Sequence, residues 1–258
     1  MRKIEKDLLV VPQSLYDNST RNGKKTNRKR KILMCSTSRY KKAYDECYKW
    51  NDIQNELSHI YHNKCVYCEE KITRVNATNL SGKEEVSHTV EHYRPKSKYG
   101  WLAFSWDNLL WCCKKCTDIK DDKFDINNVK VNYSPSFDSK IHCSTKLYNR
   151  LERPKMIHPE LEDVMNKLIF DTKGNISSHD DRVQYTIKCC ELDRTYLNGK
   201  RKKIYDRFFK KLEDAIAQNN QELINSILLK FKEDSENMDN EFIAFRIWVL
   251  NWIVKNFT

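Results

Sequence analysis

At 258 residues the chain is long enough for one large or two small domains, and 39% hydrophobic residues with only five Gly and five Pro exclude a disordered or fibrous chain. Lys and Arg outnumber Asp and Glu by 47 to 36, and the net charge of +11 favours polyanionic partners, nucleic acid foremost. Met1-Arg2-Lys3 leads into charge rather than a signal-peptide stretch, and the longest apolar segment, Phe242 to Ile253, is broken by Arg246 and Asn251 and too short to span a bilayer, so a cytoplasmic setting without a membrane partner is expected.

In chain order, residues 1–63 read as an N-terminal arm and helix. Seven basic residues between 21 and 31 have nothing to bury and predict an exposed arm. Trp50, Ile53, Leu57, Ile60 and Tyr61 then recur at helical spacing, predicting an amphipathic helix that ends near Asn63. Residues 64–124 hold the chemically suggestive motifs, with a polar loop expected over Asn76 to Lys83 and a strand over Glu85 to Glu91. Residues 125–158 show little periodicity. Leu168 to Ile176 predicts a β-hairpin turning at Gly174. From about 180 onward three apolar faces predict a helical layer: Leu197, Ile204, Phe208, Leu212 and Ile216; Leu223 to Phe231; and Phe242, Phe245, Trp248, Val249 and Trp252. The last face is wide enough that part of it is a candidate docking surface as well as core. Residues 125–258 are therefore expected to be mainly helical.

Two Cys-x-x-Cys pairs, Cys65–Cys68 and Cys113–Cys116, have the spacing of a tetrahedral zinc site, which would pin the ends of the intervening stretch together. Cys112 is an alternative to Cys113 but breaks the two-residue spacing; Cys35, Cys47, Cys143, Cys189 and Cys190 lack paired spacing and are expected in the core. Ten Cys in a cytoplasmic chain point to thiols and metal rather than a disulfide framework. Between the pairs stand Glu91-His92 and Asn108. Arg94, Lys96 and Lys98 follow at once and would meet flanking phosphates; further basic clusters are 21–31 and Lys200–Lys203 with Arg207, Lys210 and Lys211. Trp101, Trp106 and Trp111 are expected to pack against the zinc module.

The run from Val90 through Glu91-His92-Tyr93-Arg94-Pro95, then Asn108, Cys113-x-x-Cys116 and Lys120, resembles the HNH endonucleases, and more narrowly the HNH proteins of the Septu and retron-associated anti-phage systems. Met1 to Lys6, Cys65-x-x-Cys68-Glu69, and 159–176 match that family more loosely. The resemblance implies an α+β, helix-rich fold built on a zinc-stapled ββα-metal module with a helical C-terminal layer. It implies His92 as general base, Glu91 as ligand of a catalytic Mg2+ or Mn2+, Asn108 as the residue that orients the catalytic loop, and a structural Zn2+ on the four Cys. The family's last metal ligand, an Asn or His directly after the final Cys, is Thr117 here; Thr117, Asp118 and Asp121 remain open as its replacement. If a helix begins near Cys116, Asp121 shares the face of Thr117.

The resemblance further implies a metal-dependent endonuclease, acting on nucleic acid (DNA foremost) as the effector of a bacterial anti-phage system in the bacterial cytoplasm. Its implied partners are an ABC/SMC-like ATPase subunit and, in retron settings, the reverse transcriptase and its msDNA. Two alternatives stay open: a catalytically silent zinc module that binds nucleic acid or scaffolds its partner, and an HNH restriction-type nuclease outside these systems.

Overall fold

The computed structural model describes residues 2–15, 19–21, 24–26, 51–72, 76–78, 84–134 and 142–257. The basic run at 21–31 lies mostly outside them, as do Trp50, Cys35 and Cys47. The described chain is a helix-rich α+β structure whose strands form small two-stranded antiparallel sheets.

Strands β1 (Ser19–Arg21) and β2 (Lys24–Thr26) pair with each other. Helix α1 (Asn51–Ile60) buries Ile53 and Leu57, the face its spacing predicts, and the Asp52 carboxylate accepts hydrogen bonds from the backbone and hydroxyl of Ser14 at 3.0 and 2.7 Å. The expected polar loop at 76–83 instead contains β3 (Asn76–Thr78), paired with β4 (Glu84–Val86). Polar strand residues on both sides of a pairing carry no alternation to read, and the two strands are defined by their mutual backbone pairing instead. A bend at Ser87 splits the strand expected over 85–91 into β4 and β5 (His88–His92).

The centre of the molecule is the antiparallel pair β5 and β6 (Leu109–Cys113), with Val90 opposite Trp111 and His92 opposite Leu109. Every residue of β6 is buried, because α1 and α2 (Lys114–Lys120) both pack on the hairpin. Helix α2 follows β6 without a loop: the Cys113 sulfur caps it by accepting from the Cys116 backbone at 3.4 Å. The N-terminal segment is pinned onto this hairpin by Lys6, whose fully buried ammonium donates to the carbonyls of Trp106 and Leu109 at 2.8 and 2.7 Å and pairs with Glu160 at 2.7 Å.

Beyond the hairpin, α3 (Thr145–Glu152) lies where no periodicity was legible; it is short and mean hydropathy along it is low. Strands β7 (Ile169–Phe170) and β8 (Ile176–Ser177) pair around Gly174. Gly174 has φ +82°, and a Cβ there would lie 2.4 Å from the Asn198 carbonyl and 2.9 Å from the Arg201 Cβ. Gly174→Ala is therefore expected to lower unfolding free energy by roughly 1–3 kcal/mol in urea titration, from backbone strain and overpacking together; an unchanged midpoint would show that the hairpin yields.

Helices α4 (Asp181–Cys189), α5 (Thr195–Ala217), α6 (Gln221–Glu236) and α7 (Ile243–Phe257) complete the chain, the last three in mutual contact. Asn219 (φ 48°) turns the chain after α5, and Asn220 caps α6 by accepting from the Leu223 backbone. Phe245, Val249 and Ile253 of α7 are buried, while Trp248 and Trp252 are partly buried and pack against Phe170 and Tyr205, so the wide apolar surface is largely consumed inside the layer. No helix among the described residues is long and apolar enough to cross a membrane.

Candidate functional site

The two Cys-x-x-Cys pairs come together. Cys65 and Cys68 sit in a knuckle held to β6 by the Val66 amide, which donates to the Trp111 carbonyl at 3.0 Å, and Cys113 and Cys116 flank the start of α2. The four buried Sγ atoms lie within 4.8 Å of one another. Zinc–sulfur bonds of about 2.3 Å in a tetrahedron require sulfurs about 3.8 Å apart, and Cys68 and Cys113 stand at 3.9 Å. The donor set thus fits a metal such as zinc. The sulfur of Cys112 approaches Cys65 at 3.5 Å but is not one of the four. Burial pushes the Cys65 thiol well up, while hydrogen bonds from Cys112, Cys116, Cys65 and Cys68 pull Cys113 far below the ordinary thiol range.

Two charged contacts anchor this cluster to the C-terminal layer. The Arg194 guanidinium reaches the Cys116 sulfur at 3.5 Å through both terminal nitrogens. Burial works against its charge, but the cysteine sulfurs together, Cys116 first and then Cys68 and Cys113, outweigh burial and raise its pKa. The Glu69 carboxylate, one residue past the first pair, accepts from the Ala244 backbone at 3.0 Å and so holds the first turn of α7.

His92 ends β5, buried at its base, with Nε2 3.1 Å from the Ala103 carbonyl. A carbonyl only accepts, so the neutral ring carries its hydrogen on Nε2 and Nδ1 is the basic nitrogen. Asn108, fully buried, closes the intervening loop: its amide nitrogen donates to the Arg94 and Leu102 carbonyls at 3.1 and 3.2 Å, and its oxygen accepts from the Arg94 backbone at 2.8 Å. Leu102 adjoins Ala103, so the same side chain bounds the loop that fixes the His92 ring.

Glu91 is not an open carboxylate. Lys120, fully buried near the end of α2, pairs with its Oε1 at 2.6 Å and donates to the His92 carbonyl at 2.9 Å. Glu91, His92, Lys96, Thr117, Asp118 and Asp121 nevertheless line one cavity of about 400 Å³. Thr117 shares a hydroxyl hydrogen bond with Thr89 at 2.8 Å, and Asp118 pairs with Lys114 one turn earlier. The helix begins at Lys114 rather than near Cys116, and Asp121 leaves it at φ 44°, so Asp121 reaches the cavity from the turn after α2 and not from the helical face of Thr117. The early start follows from the Cys113 sulfur cap.

Several expected surface roles move inside. Arg94 is fully buried, bonded to Glu152 at 2.9 Å and Asn149 at 2.8 Å and ringed by Tyr93, Tyr99, Phe124 and Tyr148; it braces the loop and has no exposed side-chain surface to offer a phosphate. Lys96 is half-buried and Lys98 exposed. Trp106 and Trp111 are fully buried, with Trp101 partly so. Cys189 and Cys190 are core residues, whereas Cys143 is exposed, in a turn before α3 that gives it no core to enter. Lys120 and Arg194 carry no sequence signal strong enough to name their partners, although Lys120 shares the buried face of Cys116 four residues earlier.

No protein-family model matches the chain. The chain is similar to the Septu protein PtuB of Bacillus mycoides (strain KBAB4), 27% identical over 209 residues that cover 74% of this chain and 62% of PtuB. It is also similar to the Septu protein PtuA of the same strain, 20% identical over 218 residues that cover 79% of this chain and 27% of PtuA. The match thus spans under two thirds of either relative. By this likeness the chain is PtuB-like in sequence along about three quarters of its length.

Proposed function

We propose that this chain is an HNH endonuclease, the nuclease component of a Septu-type anti-phage defence system acting in the cytoplasm on nucleic acid, DNA foremost, beside a PtuA-like ATPase subunit. The observation that carries the reading is His92: a histidine whose tautomer is set by a backbone carbonyl, at the wall of a cavity lined with cations and carboxylates, on a β-hairpin-plus-helix held by four cysteines. That arrangement supports the ββα-metal module that the family resemblance implies. The likeness to PtuB supports the defence setting and the likeness to part of PtuA supports the same system.

In this reading Nδ1 of His92 takes the proton of a water that attacks the phosphodiester phosphorus. Ala103 holds the ring while it does so, and Asn108 keeps Ala103 in place. Lys96 and Lys114 on the cavity wall draw the backbone phosphates in. Asp118 and Asp121 offer the one or two carboxylates that suit a magnesium or manganese ion retaining several waters, with Thr117 adding a hydroxyl. Such an ion, when bound, supplies charge stabilisation for the departing oxygen. Glu91, held by Lys120, keeps the strand end that carries His92 in register.

His92→Ala is expected to slow cleavage of DNA by the complex with its ATPase partner at least roughly a hundredfold in Mg2+ or Mn2+, with zinc content unchanged. Cleavage at the wild-type rate by that variant would assign the base elsewhere. A second reading, a catalytically silent zinc module that binds nucleic acid or scaffolds its partner, is favoured by the closure of Glu91 by Lys120 and by Thr117 in place of the family ligand. Wild-type protein that binds DNA but leaves it intact with its partner under both metals would establish it.

A further inference from the structure

A second cavity, of about 290 Å³, lies among α5, α6 and α7 and shares no lining residue with the His92 cavity. Its cations come from three helices: Arg207 and Lys211 from α5, Lys230 from α6 and Arg246 from α7. Asp234 is the one carboxylate among the lining residues. It and Glu233 pair with Lys230, at 3.7 and 3.2 Å. No carboxylate among the described residues forms an ion pair with Arg207, Lys211 or Arg246.

The positions of these cations differ from what charge repulsion alone would choose. Arg246 is half-buried, its guanidinium 5.8 Å from the centre of the Phe231 ring and its Nε bonded to the Glu241 carbonyl at 3.0 Å. Burial lowers its pKa, Asp234 and Glu241 oppose that, and nearby Arg207 adds to the lowering. Cations gathered around one concavity repel one another unless an anion enters. The floor is of a different character: Phe208 and Phe231 stack at 4.0 Å, flanked by Ile204 and Ile227. An apolar floor under a cationic rim matches a ligand with a flat ring at one end and a phosphate at the other. Guanidinium forks bind phosphate oxygens in pairs, and the volume lies at the small end of ligand sites, enough for one nucleotide.

We propose that this cavity binds a nucleoside phosphate, with the phosphate between Arg207, Lys211 and Arg246 and the base against Phe208 and Phe231. The ligand is either a free nucleotide or the terminal nucleotide of a strand. The basic cluster seen in the sequence around 200–211 is thereby divided: Arg201 is buried and structural, bonded to the Gly174 and Leu192 carbonyls at 2.7 and 2.6 Å, and Arg207 and Lys211 face the ligand.

Calorimetric titration of the full chain with AMP, ATP, inorganic phosphate and a 5′-phosphorylated ten-nucleotide DNA strand tests this. A nucleotide or the strand is expected to bind at least about tenfold more tightly than inorganic phosphate, because phosphate alone leaves the floor uncovered. Arg246→Gln should weaken that binding about tenfold or more, the worth of one charged hydrogen bond. The doubly substituted rim variant Arg207→Gln, Lys211→Gln changes exposed side chains only and keeps the test open if Arg246→Gln misfolds. Binding of AMP or ATP that the rim variant weakens identifies the free nucleotide as ligand; binding of the strand alone, weakened by the rim variant, identifies a strand end. No binding by any probe, equal binding of phosphate and nucleotide, or affinity unmoved by the rim variant overturns the proposal. So does loss of the protein partner, with no nucleotide bound, in the rim variant. His92→Ala should leave the titration unchanged, so a failed nuclease assay and a failed titration are separate results.

Discussion

Cys65→Ser is expected to abolish zinc binding and to unfold the centre of the molecule. Elemental analysis of the wild-type chain should find about one zinc per chain, and the variant none. A hydroxyl does not replace a thiolate, so the loss approaches the full contribution of the cluster, on the order of 10 kcal/mol of apparent folding free energy. That exceeds the stability of many whole domains. The damage should also spread: Cys116 is bonded to Arg194, and Glu69 beside Cys68 caps α7, so the start of α5 and the first turn of α7 lose anchors together. Circular dichroism of the variant should therefore show loss of helix from the C-terminal layer as well as from α2. Soluble, fully helical wild-type protein containing no zinc would sink the assignment.

The second large effect is expected at Lys120. Replacing it by methionine keeps the volume but leaves Glu91 as a buried carboxylate without its partner, and takes a donor from the His92 carbonyl. Breaking a buried ion pair on one side costs roughly 3–5 kcal/mol, since the remaining charge stays desolvated. The urea midpoint should fall accordingly. Adding Glu91→Gln to Lys120→Met should recover much of the loss, because both groups are then neutral. The single variant should lose cleavage along with stability, for the end of β5 carries His92. A double variant as unstable as the single one would mean that Lys120 acts mainly through the His92 carbonyl, and a single variant of wild-type stability would show that the pair is not formed.

The features legible in the sequence are those whose physics is local. A two-residue gap between sulfurs suits one metal ion wherever the knuckle sits, so the four cysteines were readable from spacing and the fold brought their sulfurs together. Helical periodicity reflects burial one turn away, which is why Ile53 and Leu57 and most of the apolar faces beyond 180 lie inside as expected. Ile216 near the end of α5 and Leu223 near the start of α6 stay exposed, because the faces run out at the turn between those helices. A glycine at a turn announces its own backbone angle, as Gly174 does. The tertiary structure decided everything that depends on which distant group meets a charge. Lys120 and Glu91 are 29 residues apart, and their pairing changes Glu91 from an open ligand into a held one. Arg94 looked like a phosphate contact beside Glu-His and became a buried brace because Glu152, 58 residues on, lies opposite. Arg194 finds Cys116 across 78 residues. A charged side chain exposed to water and one buried against a partner are identical in sequence; desolvation and the partner's position distinguish them, and both come only with the packed chain.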